Sequence, residues 1–257
     1  MMEFSYAFMD PTGNMTALVE TAVPVEDQPR VAAAIMTAEP TCEQVGFVVD
    51  APEGCDTAIR MAGGEFCGNA AMCAASLYGL RSGIKEEKSL RVSVSDREVE
   101  IVVTPANEGY ACSVAMPAPR EIVTVEKAGL QLPVVLGEGI YHAVLVGKVD
   151  DATAETIVRE LCDELRAEAL GLMQVDLEEN AMKPLVYVPD AKTMFWENSC
   201  GSGTAAVGAY LWKTTGGAVS MSLRQKGGTL HVAADEAGNI TLQGTARLVR
   251  RNTITIA

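Results

Sequence analysis

Short apolar runs punctuated by Gly, Pro and Asn predict strands and helices in an order that the chain uses twice. Residues 4–8 and 16–20 read as two strands around Asp10-Pro11-Thr12-Gly13-Asn14, where Pro and Gly-Asn supply the dihedral angles of a turn, so they form a hairpin. The Ala-rich stretch 29–37 predicts a short helix and 45–49 a strand. A helix is expected from just after Cys67 to about Leu80, where Arg81-Ser82-Gly83 stops it. Residues 90–94 and 99–103 then read as half-buried strands joined by a turn at Ser95-Asp96-Arg97-Glu98, followed by a strand at 110–114.

The second half replays this order. Residues 141–146 predict a strand, 151–169 a helix with Leu161 and Leu165 on one face, and 185–188 a strand. A helix follows from Cys200 to about Trp212, and 218–223, 228–233 and 239–244 make a strand-rich end. So long a period means a duplicated domain, since solenoid repeats are far shorter. The two prolines of Met116-Pro117-Ala118-Pro119 break strand pairing and mark the join. The expected organisation is therefore an N-terminal lobe, 1–118, carrying Cys67, and a C-terminal lobe, 119–257, carrying Cys200, whose last strand has the option of returning to the first lobe. Two similar lobes would bring their equivalent helix starts to face one cleft.

Composition narrows the classes of partner. A formal net charge of −14 in 257 residues argues against nucleic acid and anionic membrane, which need a basic patch to meet them. No apolar run approaches the roughly 18 residues of a membrane span, and the N-terminus lacks a basic region followed by an apolar core, so a cytoplasmic protein is expected. Seven scattered cysteines form no disulfide framework, and no Cys-x-x-Cys pair occurs. With only His142 and His231 available, no metal site is expected.

The chemistry lies in two runs, Gly63-Gly64-Glu65-Phe66-Cys67-Gly68-Asn69 and Glu197-Asn198-Ser199-Cys200-Gly201-Ser202-Gly203. Each sets a cysteine at a helix start, where unpaired backbone N–H groups and about half a positive charge stabilise a thiolate or a bound carboxylate. Glycine after the cysteine lets a ligand approach the backbone. A thiol, with a free pKa of about 8.5, becomes a usable base in such surroundings. Two of them addressing one carbon can take a proton from one side and return it on the other, which inverts a stereocentre.

Cys67-Gly68-Asn69 and Cys200-Gly201-Ser202-Gly203-Thr204 resemble the two signatures of the diaminopimelate epimerase-like, cofactor-independent amino-acid racemases, and Gly-Gly-Glu-Phe-Cys-Gly-Asn resembles the histidine racemase branch. The resemblance implies an α+β fold of two pseudo-symmetric lobes, each a mixed or antiparallel sheet curled around a central helix. It implies a homodimer, a free amino acid as substrate and no pyridoxal phosphate or other cofactor. Cys67 and Cys200 would be the acid and base; backbone N–H groups of Gly68, Asn69, Gly201 and Ser202 would hold the α-carboxylate; Asn14, Gln44 and Asn69 would complete the polar frame. Glu65 and Glu197, each just before a reactive cysteine, are candidates for the substrate amine or side chain, and Tyr141, Phe66 and Trp196 for flanking an imidazole.

The chain departs from the epimerase pattern at the distal end of the substrate. No arginine occurs between Arg166 and Arg224, and Ile140 replaces the asparagine of the family's Gly-Asn-Pro-His stretch. A distal carboxylate would lack its bidentate partner. The reading therefore leans to histidine, with diaminopimelate epimerase, a dehydratase or isomerase on the same fold, and a non-catalytic amino-acid binder as alternatives. Cys73, further along its helix, reads as core, and His142, in an apolar strand, as a structural histidine.

Overall fold

The structure, a computed structural model, describes residues 1–189 and 193–256. It is a mixed α+β protein with much sheet and few helices. The elements run β1 (Met2–Asp10), β2 (Thr16–Val19), α1 (Gln28–Ala38), β3 (Gln44–Val49), β4 (Thr57–Met61), α2 (Gly68–Ser82), β5 (Lys88–Val94), β6 (Arg97–Ala106), β7 (Gly109–Ala115), β8 (Glu121–Lys127), β9 (Leu130–Leu136), β10 (Tyr141–Val146), α3 (Asp151–Leu165), β11 (Leu170–Asp176), β12 (Ala181–Val188), β13 (Thr193–Trp196), α4 (Gly201–Thr215), β14 (Val219–Gln225), β15 (Gly228–Ala234) and β16 (Ile240–Ile256). They divide into two compact units, one made of Met1–Ala115 with Gln243–Ala257 and the other of Met116–Leu242.

In the first unit β1 and β2 form an antiparallel hairpin, β2 runs parallel to β3, β3 antiparallel to β4, β4 parallel to β5, and β5 to β7 form a meander. The C-terminal part of β16 pairs with β1 from Met2↔Ile256 to Asp10↔Arg247, and β16 also neighbours β7, so the strands close into a ring. Inside it lies α2, whose residues from Gly68 to Leu77 are all buried. A helix enclosed on every side has no polar face, which is why this one is built from Ala and Gly and not from an amphipathic repeat. Gly79 lets the Tyr110 ring lie against the helix, since a Cβ there would come within 2.8 Å of Tyr110 Cζ. Glu39 ties the ends of the unit together. It accepts the Tyr6 hydroxyl at 2.8 Å and pairs with Arg250 on the last strand.

The second unit uses the same plan. β9 and β10 are antiparallel, β10 runs parallel to β11, β11 antiparallel to β12, β12 parallel to β14, and β14 antiparallel to β15. β8 extends the sheet beside β9, β13 pairs with β12, and the first residues of β16 follow β15. Here α4 takes the place of α2, with Gly201 and Gly203 to Ala209 buried. Gly208 seats it on Val232. α3 is the amphipathic helix of this unit, burying Ala154, Ile157, Val158, Leu161 and Cys162 at helical spacing.

Two expectations need correction. The helix predicted over 151–169 ends at Leu165, because Arg166 takes a left-handed conformation (φ 49°) and Ala167 N–H bonds back to Cys162 O at 3.0 Å, closing the helix. The last strand runs to Ile256 and not to 244, since its later part has a second partner in β1.

Gly109 marks where the ring of the first unit is tightest. Its φ is +127° and a Cβ would lie 2.3 Å from Ala246 O, a backbone atom that cannot swing aside. Gly109→Ala is expected to lower the unfolding free energy by roughly 3 kcal/mol, combining overpacking with an unfavourable φ. Urea unfolding measures it, and a loss under about 0.5 kcal/mol would mean the β7–β16 contact is looser than described.

Candidate active site

Each unit carries one thiol at the mouth of its enclosed helix. Cys67 is the N-cap of α2, in extended conformation (φ −134°, ψ 118°), and its Sγ accepts the Ala70 N–H at 3.5 Å. Cys200 is the N-cap of α4 (φ −118°, ψ 106°), and its Sγ accepts the Gly203 N–H at 3.3 Å. A cysteine in the place usually taken by Ser or Asp points its side chain back over the first turn, among N–H groups that have no acceptor within the helix. Gly68 and Gly201 are the first helical residues, and both are buried.

A chain of polar side chains supports the first thiol. Cys67 Sγ donates to Gln44 Oε1 at 3.0 Å, Gln44 Nε2 to Thr16 Oγ1 at 2.7 Å, and Thr16 Oγ1 to Asn14 O at 2.9 Å. Asn14 Nδ2 donates to Glu43 Oε2 at 2.7 Å. Its Oδ1 is buried without a hydrogen-bond partner among the described residues, which leaves an acceptor for a donor-bearing ligand. Asn69 is buried on the first turn of α2. Gln44, Asn14, Asn69 and Gly68 therefore gather with Cys67, as their places in the sequence suggest. Glu65 is exposed, with its carboxylate folded back over Gly63. Cys73 is wholly buried and its thiol is pushed well up by burial, which suits a core residue.

The second mouth differs in detail. Gln225 Oε1 accepts the backbone N–H of Cys200 at 2.8 Å and Gln225 Nε2 donates to Thr204 Oγ1 at 2.9 Å, while Thr204 donates to Cys200 O at 2.6 Å. Ser202 Oγ lies 3.7 Å from Cys200 Sγ and 3.1 Å from His142 Nε2. Burial pushes the Cys200 thiol well above its ordinary value, and the Glu197 carboxylate, which hydrogen-bonds to it, pushes in the same direction. Glu197 thus stands against the sulfur.

His142 is 3% exposed and burial lowers its pKa to about 4. The folded value lies below the unfolded one of about 6.5, so the unfolded chain binds the extra proton between these pH values. Stability is then lost as pH falls from 6.5 toward 4, by roughly 2–3 kcal/mol from this group. His142→Gln should flatten that part of the profile. Urea unfolding at pH 7 and pH 4.5 reads it, and an unchanged difference between the two would show that His142 is charged in the folded state.

Tyr141 and Trp196 pack against the cluster around α3. Successive residues of a strand face opposite ways. His142 points to α4 through Ser202, so Tyr141 packs on the other face with Trp196 and the residues of α3. Trp196 lies under Lys183 Nζ, 3.7 Å from its ring centroid. Cys200 belongs to the separate cluster around α4. Nothing in the sequence singles out Thr16, Glu43 or Gln225, and His142, read there as a structural histidine, meets Ser202 at the second mouth. Only adjacency to Gln44 could have marked Glu43. Among the described residues no group of three or more His, Cys, Asp or Glu side chains could hold a metal ion, and no helix is long and apolar enough to cross a membrane.

A family model described as the histidine racemase CntK N-terminal domain matches residues 3–254. The chain belongs to the histidine racemase family. Relatives include the histidine racemase of Staphylococcus aureus, 28% identical over 256 residues that cover 95% of this chain and 92% of the relative. That of Fusobacterium nucleatum subsp. nucleatum is 31% identical over 216 residues, covering 80% and 79%. Among solved structures, a Pseudomonas aeruginosa protein described as a predicted epimerase superposes with a TM-score of 0.72 at 16% identity, over 99% of this chain and all of that one. A probable proline racemase from Agrobacterium radiobacter K84, with bound carbonate, gives 0.71 at 15% identity, over 99% and 93%. At such identities the likeness is one of fold. The membership bears out the branch that Gly-Gly-Glu-Phe-Cys-Gly-Asn resembles. In this histidine racemase family member each Cys-Gly pair opens the enclosed helix of its unit.

Proposed function

We propose that this protein is a cofactor-independent amino-acid racemase that inverts the α-carbon of histidine, on a diaminopimelate epimerase-like fold. The observation that carries the proposal is the pair of thiols capping α2 and α4, each followed by a buried glycine. Inversion needs an acid and a base on opposite faces of one carbon. Cys67 and Cys200 take these roles and exchange them with the direction of reaction. The α-carboxylate is held at the helix starts by N–H groups of Gly68, Asn69, Gly201 and Ser202, where aligned peptide dipoles stabilise the charge that grows as the α-proton leaves. The orphan Oδ1 of Asn14 suits the substrate ammonium. Gln44 and Asn69 complete the polar frame, and Glu197 is the carboxylate beside the Cys200 thiol.

For the side chain we propose Phe66 as a flank of the imidazole and Glu65 or Glu197 as acceptor of its N–H. A cytoplasmic location and a homodimer belong to the same proposal; the free state of all seven cysteines suits a reducing compartment. Incubating the purified protein with L-histidine alone and separating enantiomers by chiral chromatography tests the function. D-histidine should accumulate toward an equal mixture with no added pyridoxal phosphate or metal. Its failure to form, with protein that is folded by circular dichroism, would exclude the reading.

A further inference from the structure

The Thr16 hydroxyl is wholly buried and has a single proton, which it gives to Asn14 O at 2.9 Å, a carbonyl that can only accept. Any other group on Thr16 Oγ1 must therefore donate to it. The amide of Gln44, 2.7 Å away, does so, and it must present its Nε2. A primary amide is rigid. With Nε2 held by Thr16, Oε1 is the atom that faces Cys67 Sγ at 3.0 Å. A carbonyl oxygen accepts from an S–H but offers nothing to a thiolate.

We propose that Thr16 is a positioning residue: by fixing which end of the Gln44 amide meets Cys67, it holds that cysteine as a thiol in the substrate-free protein, the form in which it delivers a proton in the direction where Cys200 is the base. The inference rests on the proposed acid/base role of Cys67. The second unit shows that such a device need not act on sulfur. There Thr204 fixes Gln225 in the same way, yet Gln225 Oε1 meets the backbone N–H of Cys200, and the thiol is left to the Gly203 N–H and its neighbours. One threonine–glutamine pair sets a proton; the other sets a backbone.

The test is alkylation of each cysteine by iodoacetamide at one neutral pH, followed by mass spectrometry, in wild type, Thr16→Val and Thr16→Ser. Valine matches threonine in shape but lets the Gln44 amide turn and offer Nε2 to a thiolate, so Cys67 should be alkylated at least about fivefold faster, as its thiolate fraction rises. Serine should restore the wild-type rate, and Cys73 and Cys112, buried in the same unit, should stay slow in all three. A Cys67 rate within twofold of wild type in Thr16→Val would overturn the proposal. So would Cys73 and Cys112 rising with Cys67, the sign of a loosened core, or a serine variant that behaves as valine does. Should Thr16→Val not fold, the infrared difference between wild type and Cys67→Ala decides: a hydrogen-bonded S–H stretching band is expected, and its absence would contradict a resting thiol. Neither readout needs turnover, so failure of this proposal is distinguishable from failure of the racemase reading.

Discussion

Cys200→Ala is expected to lower kcat for histidine racemisation at least about a thousandfold, and Cys67→Ala to do the same, because each removal leaves one face of the α-carbon with neither acid nor base. The loss should fall on kcat more than on KM. The carboxylate contacts proposed for the helix starts come from the backbone, which neither substitution removes. Serine in place of either cysteine should be nearly as damaging, since its hydroxyl has the right shape but is far too weak an acid to share a proton near neutral pH. Initial rates from both L- and D-histidine measure the effect. Wild-type turnover in either alanine variant would rule out the two-thiol mechanism.

The second large effect concerns the substrate. L-Histidine should be turned over with a kcat/KM on the order of a thousandfold above that of LL-diaminopimelate, because an unpaired buried carboxylate costs several kcal/mol. No arginine lies between Arg166 and Arg224, and Ile140 stands where an asparagine would supply a hydrogen bond. The carboxylates near the thiols are of the wrong sign for a second acid: Glu43 joins the Asn14–Gln44 network and Glu197 lies against Cys200. The same groups accept the N–H of an imidazole readily. Faster turnover of diaminopimelate would mean that cations elsewhere grip the distal group, and histidine would no longer be the preferred substrate.

What could be read from the sequence was what local chemistry dictates. A cysteine followed by glycine and a run of small residues marks a helix start whether or not its surroundings are known, so both mouths and both enclosed helices were legible. β11 was not. All of Leu170–Val175 is buried, and an apolar run of that kind continues a helical pattern as well as it makes a strand. β16 was seen only at its beginning, because its later residues, rich in Arg and Thr, become a strand through pairing with β1 at the opposite end of the chain. Thr16 read as one more β-branched strand residue; its importance depends on Gln44 and Asn14 meeting it in space. Tyr141 faces away from α4, a consequence of strand alternation that becomes visible only once its neighbour His142 is seen to meet Ser202.

Two groups acting on opposite faces of one carbon leave a characteristic isotope pattern in the products. L-Histidine is turned over by the wild-type protein in D2O, stopped at low conversion, and its enantiomers are separated and weighed by mass spectrometry. One cysteine removes the α-proton and the other, already exchanged with solvent, delivers a deuteron, so the D-histidine should carry one deuterium at the α-carbon while the recovered L-histidine still holds protium. D-Histidine that retains the substrate's own α-proton would show a single group returning what it took, and would exclude the two-thiol mechanism.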